Sequence, residues 1–301
     1  MHRYQQLMVL MAGTEGDEGL IRYAAMVAKM GTAKTVRFVH VLSSTTGSAA
    51  GRHHDVVLAE LQEKVRTHLT DVPKTVEVLY DVLAGPLVDR LLVHTAEHHT
   101  DLLLVGDQCK VSDRKVLSRR LAMKAPCSVW MVPDGGPASI KRILVPIDFS
   151  EHAADSIRVA TSMARLCGHV ECLAVHIYFN EAVVTYEGYD RVLRGQEEQA
   201  YKQFISPINC QGVKVTPLFE EGVNVAHAIG RLAKQHDVDL IVMATRGRSR
   251  SSSILLGSVT EEMLIETKVS LLAVKHFGAR LGVVQALLDR RFRSSGDLHT
   301  A

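Results

Sequence analysis

Long apolar runs are missing from this 301-residue sequence. No uninterrupted stretch approaches the ~20 apolar residues of a membrane-spanning helix, so no membrane insertion is expected. No secretory leader is expected either, because MHRYQQLMVL passes directly into a strand pattern. Cysteine is sparse and odd in number, at Cys109, Cys127, Cys167, Cys172 and Cys210. Scattered thiols of odd count argue against a disulfide framework and favour a reducing, cytoplasmic setting. No excess of one charge exists either: 35 Lys+Arg against 33 Asp+Glu leave a formal +2. That gives no support for a large nucleic-acid surface. The G-x-x-x-x-G-K-[ST] and G-x-G-x-x-G patterns do not occur, so the main P-loop and dinucleotide readings lack their defining residues. No Ser-His-Asp or Cys-His set can be assigned from the sequence.

What the chain does contain is alternation. Its length suggests about two domains, either long enough to bury a core. Strand patterns at Gln6–Ala12, Thr35–Leu42, Thr75–Asp81, Asp101–Val105 and Cys127–Val132 alternate with helical patterns at Asp17–Met30, Asp55–Leu69, Pro86–His98 and Lys115–Lys124. Ser43–Gly51 reads as a small-residue loop, and Asp134–Ser139 (DGGPAS) as a linker. The order then restarts with a strand at Arg142–Ile147 and a helix capped by Ser150. Strands at Val170–Tyr178, Val213–Phe219, Asp239–Met243 and Ser270–Lys275 follow, with helices at Asp190–Phe204, Val225–His236 and Ser258–Thr267 between them.

The halves align at a nearly constant offset. Val39-His40-Val41 matches Val175-His176-Ile177 at 136, and Asp101 matches Asp239 at 138. A period this long marks a duplicated domain. The expected fold is α/β: two tandem domains, each with its own five-stranded parallel sheet and helices on both faces. The boundaries fall at 1–133, a linker at 134–139, 140–277, and a C-terminal extension at 278–301. Leu281, Val284, Leu287 and Leu288 in the extension suit either a docking helix or a frayed tail.

Asp239–Lys275 concentrates the chemistry. A short β-branched strand leads into a loop rich in Arg, Ser and Gly, and Gly257-Ser258 opens a helix. Strand, polar loop and helix start form an anion-binding arrangement, since backbone N–H groups converge and the helix end carries partial positive charge. Gly247 and Gly257 permit close backbone approach. Ser258 supplies a hydroxyl donor, and Arg246, Arg248 and Arg250 supply charge. The spacing is Ala244, two residues, Gly247, nine residues, Gly257, Ser258. For the loop alone, a solvated turn with a helix cap is an equal reading.

This spacing resembles the ATP-binding signature of the universal stress protein family: Gly, two residues, Gly, nine residues, Gly, then Ser or Thr. Ala244 departs from it, standing where nucleotide-binding members carry glycine. The likeness extends over about Lys141 to His276, opening with KRILVPIDFSEHA. It implies that Pro146 and Asp148 lie beside adenine and ribose, that Ile177 lines the adenine pocket, and that Met243, Ala244, Arg246, Gly247, Gly257, Ser258 and Val259 contact the nucleotide. ATP or a related adenine nucleotide is the implied ligand, and Mg²⁺ is admitted as an accompanying ion. The first half shares the layout but not the ligand positions: Ala12 replaces Asp148, Leu10 replaces Pro146, and Cys109 sits where Gly247 would. It is therefore expected to be a nucleotide-free partner domain. In single-domain relatives two copies pair about a two-fold axis, so the tandem chain is expected to form that pair internally, with a further homodimer left open.

The implied function is that of a cytoplasmic stress-response regulatory module. Two alternatives stay open: a nucleotide-free interaction protein of the same fold, with Ala244 as the sign of loss, and a slow ATP-hydrolysing enzyme. Separately, His94-Thr95-Ala96-Glu97-His98 matches H-x-x-E-H, a zinc-protease pattern. It ends a helix, where histidine suits the dipole, and the structural reading is preferred. His53-His54 are adjacent and make a poor metal pair. His40 and His176 match across the halves, which suggests a role in the fold, and His176 is a candidate for the pocket edge.

Overall fold

The computed structural model describes residues 4–30, 33–42, 49–106, 114–136, 139–179, 189–247 and 256–275. Arg248, Arg250, the rest of the Arg/Ser run, Cys109 and the 278–301 extension lie outside the described residues. The first half runs β1 (Gln6–Met11), α1 (Asp17–Lys29), β2 (Thr35–Leu42), α2 (Ala49–His68), β3 (Glu77–Ala84), α3 (Leu87–Glu97), β4 (Leu102–Gly106), α4 (Arg114–Lys124) and β5 (Ser128–Val132). The second runs β6 (Arg142–Pro146), α5 (Glu151–Leu166), β7 (Glu171–Tyr178), α6 (Tyr189–Ile205), β8 (Val215–Glu221), α7 (Val225–Gln235), β9 (Leu240–Ala244), α8 (Ser258–Glu266) and β10 (Ser270–Val274). Each half contributes five mutually parallel strands. Helices cover both faces. Ile21 of α1, Val65 of α2, Ile157 of α5 and Tyr201 of α6 join one core, and Leu91 of α3, Leu121 of α4, Ile229 of α7 and Met263 of α8 join the other. The period of two is visible in β1, where Leu7, Val9 and Met11 enter the first core and Met8 and Leu10 the second.

The two sheets are not separate, which corrects the sequence reading. β5 and β10 pair antiparallel, with Leu272 opposite Trp130, and the strands form one sheet ordered β3-β2-β1-β4-β5-β10-β9-β6-β7-β8. The reason lies in two sequences, SVWMV and SLLAV, both buried at every position. Neither carries the charge, proline or bulge that protects an exposed edge, so each covers the other. Ser270 holds the seam. Its Oγ accepts the indole N–H of Trp130 at 2.8 Å and lies 3.0 Å from the Tyr23 hydroxyl. Ser270→Ala would leave that buried N–H unsatisfied. A loss of roughly 1–3 kcal/mol is expected, measured by urea unfolding followed through the fluorescence of the single tryptophan.

The outer strands also differ from expectation. β3 and β8 each start two residues later than the sequence pattern placed them, because each follows its inner neighbour residue by residue. A shift of two preserves the inward face, which is why alternation alone did not resolve it. α2 begins before its expected start at Asp55. Pro217 is accommodated because β8 is the outermost strand.

Matched residues perform matched tasks. Asp101 accepts the N–H groups of Gln5 and Gln6, as Asp239 accepts those of Lys141 and Arg142. His40 Nδ1 lies 2.9 Å from the Met11 carbonyl, as His176 Nδ1 lies 2.9 Å from that of Ile147. The role in the fold expected of these two histidines is therefore present.

Candidate functional site

β6 and β9 are neighbours in the sheet, yet their chains leave in opposite directions, β6 toward β7 and β9 toward β10. Such a switch point opens a crevice at the carboxyl ends of the strands. A cavity of about 490 Å³ lies there, within the size range of small-molecule sites. Its lining includes Pro146, Asp148, Met243, Ala244, Arg246, Gly247, Gly257, Ser258 and Val259. Ile177, one of the nucleotide contacts implied by the resemblance, is not in this lining. It packs partly buried on β7, close to Gly222. His176 is also outside it, with Nε2 3.2 Å from Glu197.

Local geometry explains how each group is held. Asp148 follows β6 and precedes Phe149, whose φ is +61°. That left-handed turn is unusual for an aromatic residue and is kept in place by packing. The Phe149 ring lies 4.2 Å from His176 and 5.6 Å from Phe204 between centroids. The turn lets Asp148 Oδ1 accept from Ser150 N–H (3.1 Å) and from Ser150 Oγ (2.5 Å). Ser150 in turn accepts from Ala153 N–H and caps α5. Asp148 Oδ2 is directed at Gly247, where a Cβ would stand only 2.7 Å from it. Gly247 therefore makes room for the carboxylate, a reason that sequence spacing did not reveal.

The other wall is the start of α8. Gly257, its N-cap, is extended (φ −72°, ψ 145°) and provides no side-chain cap for the first-turn amides. Its own N–H donates to the Thr245 carbonyl at 2.8 Å. Thr260 Oγ1 donates to the Ala244 carbonyl at 2.8 Å, which fixes the helix against the end of β9. Arg246 adds positive charge. Behind the cavity, the Lys275 ammonium donates to the carbonyls of Ala122 and Met123, at the end of α4. Burial pushes the Lys275 pKa down to about 8, with Arg246 adding to the effect.

Sequence reasoning missed the apolar wall: Ala153 of α5, Val225 and Ile229 of α7, and Leu256. Val225 and Ile229 are spaced i, i+4, so they share a helix face, but nothing in the sequence shows which cavity that face meets. It also missed Asp17. At the offset of 136 this residue stands where Ala153 does, and it is 3 % exposed. Its carboxylate accepts the N–H groups of Ala12 (2.9 Å), Gly13 (2.8 Å) and Thr14 (3.1 Å), with Lys64 Nζ 3.9 Å away. The loop after β1 is thus closed on a buried anion supplied by its own helix.

The arrangement as a whole offers the Asp148 carboxylate, a second carboxylate in Glu261 that pairs with Arg119, an apolar slot, a cation and a helix start around a single space. Known proteins match this chain in the same region. The profile of the universal stress protein family matches residues 139–275. A universal stress protein encoded in the QAH/OAS sulfhydrylase 3′ region of Thermus aquaticus is 33% identical over 139 residues, covering 45% of this chain and 98% of the relative. Among solved structures, a universal stress protein from Archaeoglobus fulgidus DSM 4304 superposes with a TM-score of 0.62 at 19% identity, covering 89% of this chain and 98% of the other. A functionally unknown protein from Pseudomonas aeruginosa PAO1 gives 0.66 at 15% identity, covering 97% and 98%. These two likenesses extend the fold to both halves, and with the sequence match the conclusion is that the chain belongs to the universal stress protein family.

Proposed function

We propose that the second domain, 140–277, binds ATP or a related adenine nucleotide, and that the chain acts as a cytoplasmic regulatory module in a stress response. The observation that carries the binding reading is convergence. Residues from three separated stretches, implied by the family resemblance to surround one nucleotide, line one cavity at the switch point. Asp148 suits ribose hydroxyls, because a carboxylate accepts hydrogen bonds there. The uncapped start of α8, Ser258 and Arg246 suit phosphates. Val225, Ile229 and Met243 supply apolar wall for a base. In the first domain, 1–133, the buried Asp17 carboxylate stands at the Ala153 position and opposes an anionic ligand. The β5–β10 seam supports a second part of the reading: the two domains form internally the pair that single-domain relatives form from two copies.

Mass spectrometry of protein purified under non-denaturing conditions tests the binding reading; an adenine nucleotide is expected to accompany it. Protein that arrives empty and takes up no added nucleotide would favour the interaction-protein reading, for which Ala244 is the specific observation. Ala244→Gly is expected to tighten nucleotide binding in titration calorimetry by removing a methyl group from the lining. Gly247→Ala is expected to weaken binding about tenfold, since the added carbon forces Asp148 to move, and a hydrogen bond to a charged group contributes about 1.5–3 kcal/mol. In a double-mutant cycle with Asp148→Asn the two losses should be less than additive, because one acts through the other. Full additivity would separate Gly247 from Asp148.

A further inference from the structure

The corner between β3 and α3 holds a polar cluster that the nucleotide site does not use. His94 of α3 and His98, the C-cap of that helix, are spaced i, i+4, with ring centroids 4.3 Å apart. Asp81 of β3 faces them, its Oδ2 2.9 Å from His94 Nε2. One ligand atom from each of the three lies within 4.8 Å of the others. Among the described residues this is the one such group of histidine, cysteine and carboxylate side chains.

The second half provides an internal control. It builds the same corner with the same pairing, and there Arg37 becomes Leu173 and Asp81 becomes Leu218. His94 becomes Leu232. His98 alone persists, as His236, each the C-cap of its helix. The fold therefore closes this corner with leucines. Taking polar and charged groups out of water is costly, and apolar replacements are often neutral or stabilising. The polar version is thus not explained by packing.

We propose that Asp81, His94 and His98 form a binding site for a divalent transition-metal ion of the zinc type, which clamps the outermost strand of the first domain to α3. Two imidazoles and a carboxylate form one of zinc's ordinary ligand sets, with water in the fourth position. Tetrahedral bonds of this kind separate ligand atoms by roughly 3.4 Å, so side-chain rotations suffice to close the set. His94 Nδ1 lies 3.8 Å from Glu97 Oε2, which places a carboxylate behind the ligating ring, as metal-binding histidines commonly have. In the ion-free arrangement Arg37 pairs with Asp81. The metal displaces that guanidinium or shares the carboxylate with it.

The test is titration calorimetry of the full chain, stripped with chelator and free of nucleotide, using zinc chloride. Absorption spectra with cobalt(II) accompany it. One site of micromolar or tighter affinity is expected, with the intense visible bands of four-coordinate cobalt. His98→Ala leaves the Arg37–Asp81–His94 contacts in place, so it should retain the metal-free melting temperature and lose at least about a hundredfold in affinity. Glu97→Gln should lose about tenfold, at the low end for an outer-shell partner. Arg37→Leu, the residue of the second half, should bind more tightly. Wild-type protein without such a site, six-coordinate cobalt spectra, or unchanged affinity in His98→Ala would each overturn the proposal and leave a hydrogen-bonded network only.

Discussion

Gly257→Val is expected to weaken adenine-nucleotide binding by roughly 30- to 150-fold while the ligand-free protein keeps its melting temperature within a degree or two. The two halves of this expectation have different causes. Gly257 is extended, a conformation that β-branched residues adopt readily. A Cβ built there meets the Thr245 carbonyl at 3.6 Å and the Gly247 nitrogen at 3.8 Å, both ordinary contacts. The protein itself therefore tolerates the side chain. The cavity does not, because Gly257 lies beside the uncapped amides of α8, where a phosphate would approach the backbone. Overpacking a close contact costs about 1–3 kcal/mol, and 1.36 kcal/mol is tenfold in affinity, so the upper part of that range gives the stated loss. Calorimetric titration with ATP and a melting curve on the same sample separate the two effects. A variant that binds normally would remove the α8 start from the site, and one that no longer folds would show that Gly257 has a structural role.

Saturating ATP should raise the unfolding midpoint reported by Trp130, although that residue belongs to the domain proposed to lack a nucleotide site. Ligand at 100 times its dissociation constant stabilises the native state by ~2.7 kcal/mol. At ~2–4 °C per kcal/mol the shift amounts to several degrees. It reaches Trp130 because β5 and β10 share a ladder, and because the indole is hydrogen-bonded to Ser270 of the binding domain. α4 and α8 are joined as well, with Arg119 2.8 Å from Glu261, a residue of the cavity lining. One transition, shifted by ATP in the wild type and unshifted in Gly257→Val, is the expected pattern. Two transitions, with the tryptophan-reported one insensitive to ATP, would mean that the seam does not couple the halves.

Much of this was legible in the sequence because it rests on local pattern. Strand and helix alternation, the offset between the halves and the Ser150 cap follow from side-chain periodicity and hydrogen-bonding chemistry. The glycine spacing marked the loop, and Asp148 was singled out through the family resemblance, with its place after a strand in the same half in support. What stayed hidden depends on which surfaces meet. SVWMV and SLLAV announce unprotected edges, but pairing with each other rather than with a second molecule is a tertiary outcome. Asp17 reads as an ordinary helix-start acid until the fold turns it onto the loop amides. Val225 and Ile229 read as core until the cavity appears in front of them. Gly247 was singled out for close backbone approach, whereas a Cβ built there would meet the Asp148 carboxylate. Arg37, Asp81 and His94 come from three elements, and only the strand register brings them together.

The central claim is that one half of this chain binds a nucleotide and the other does not. Its most direct test is the stoichiometry of ATP on the intact chain, by titration calorimetry after any co-purified nucleotide has been removed. The whole chain is required, because separated halves would expose the β5 and β10 edges. One ATP per chain is the result expected from Asp148, Gly247 and α8 on one side and the buried Asp17 on the other. Two per chain would contradict the asymmetry, and none would contradict the assignment of the cavity as a nucleotide site.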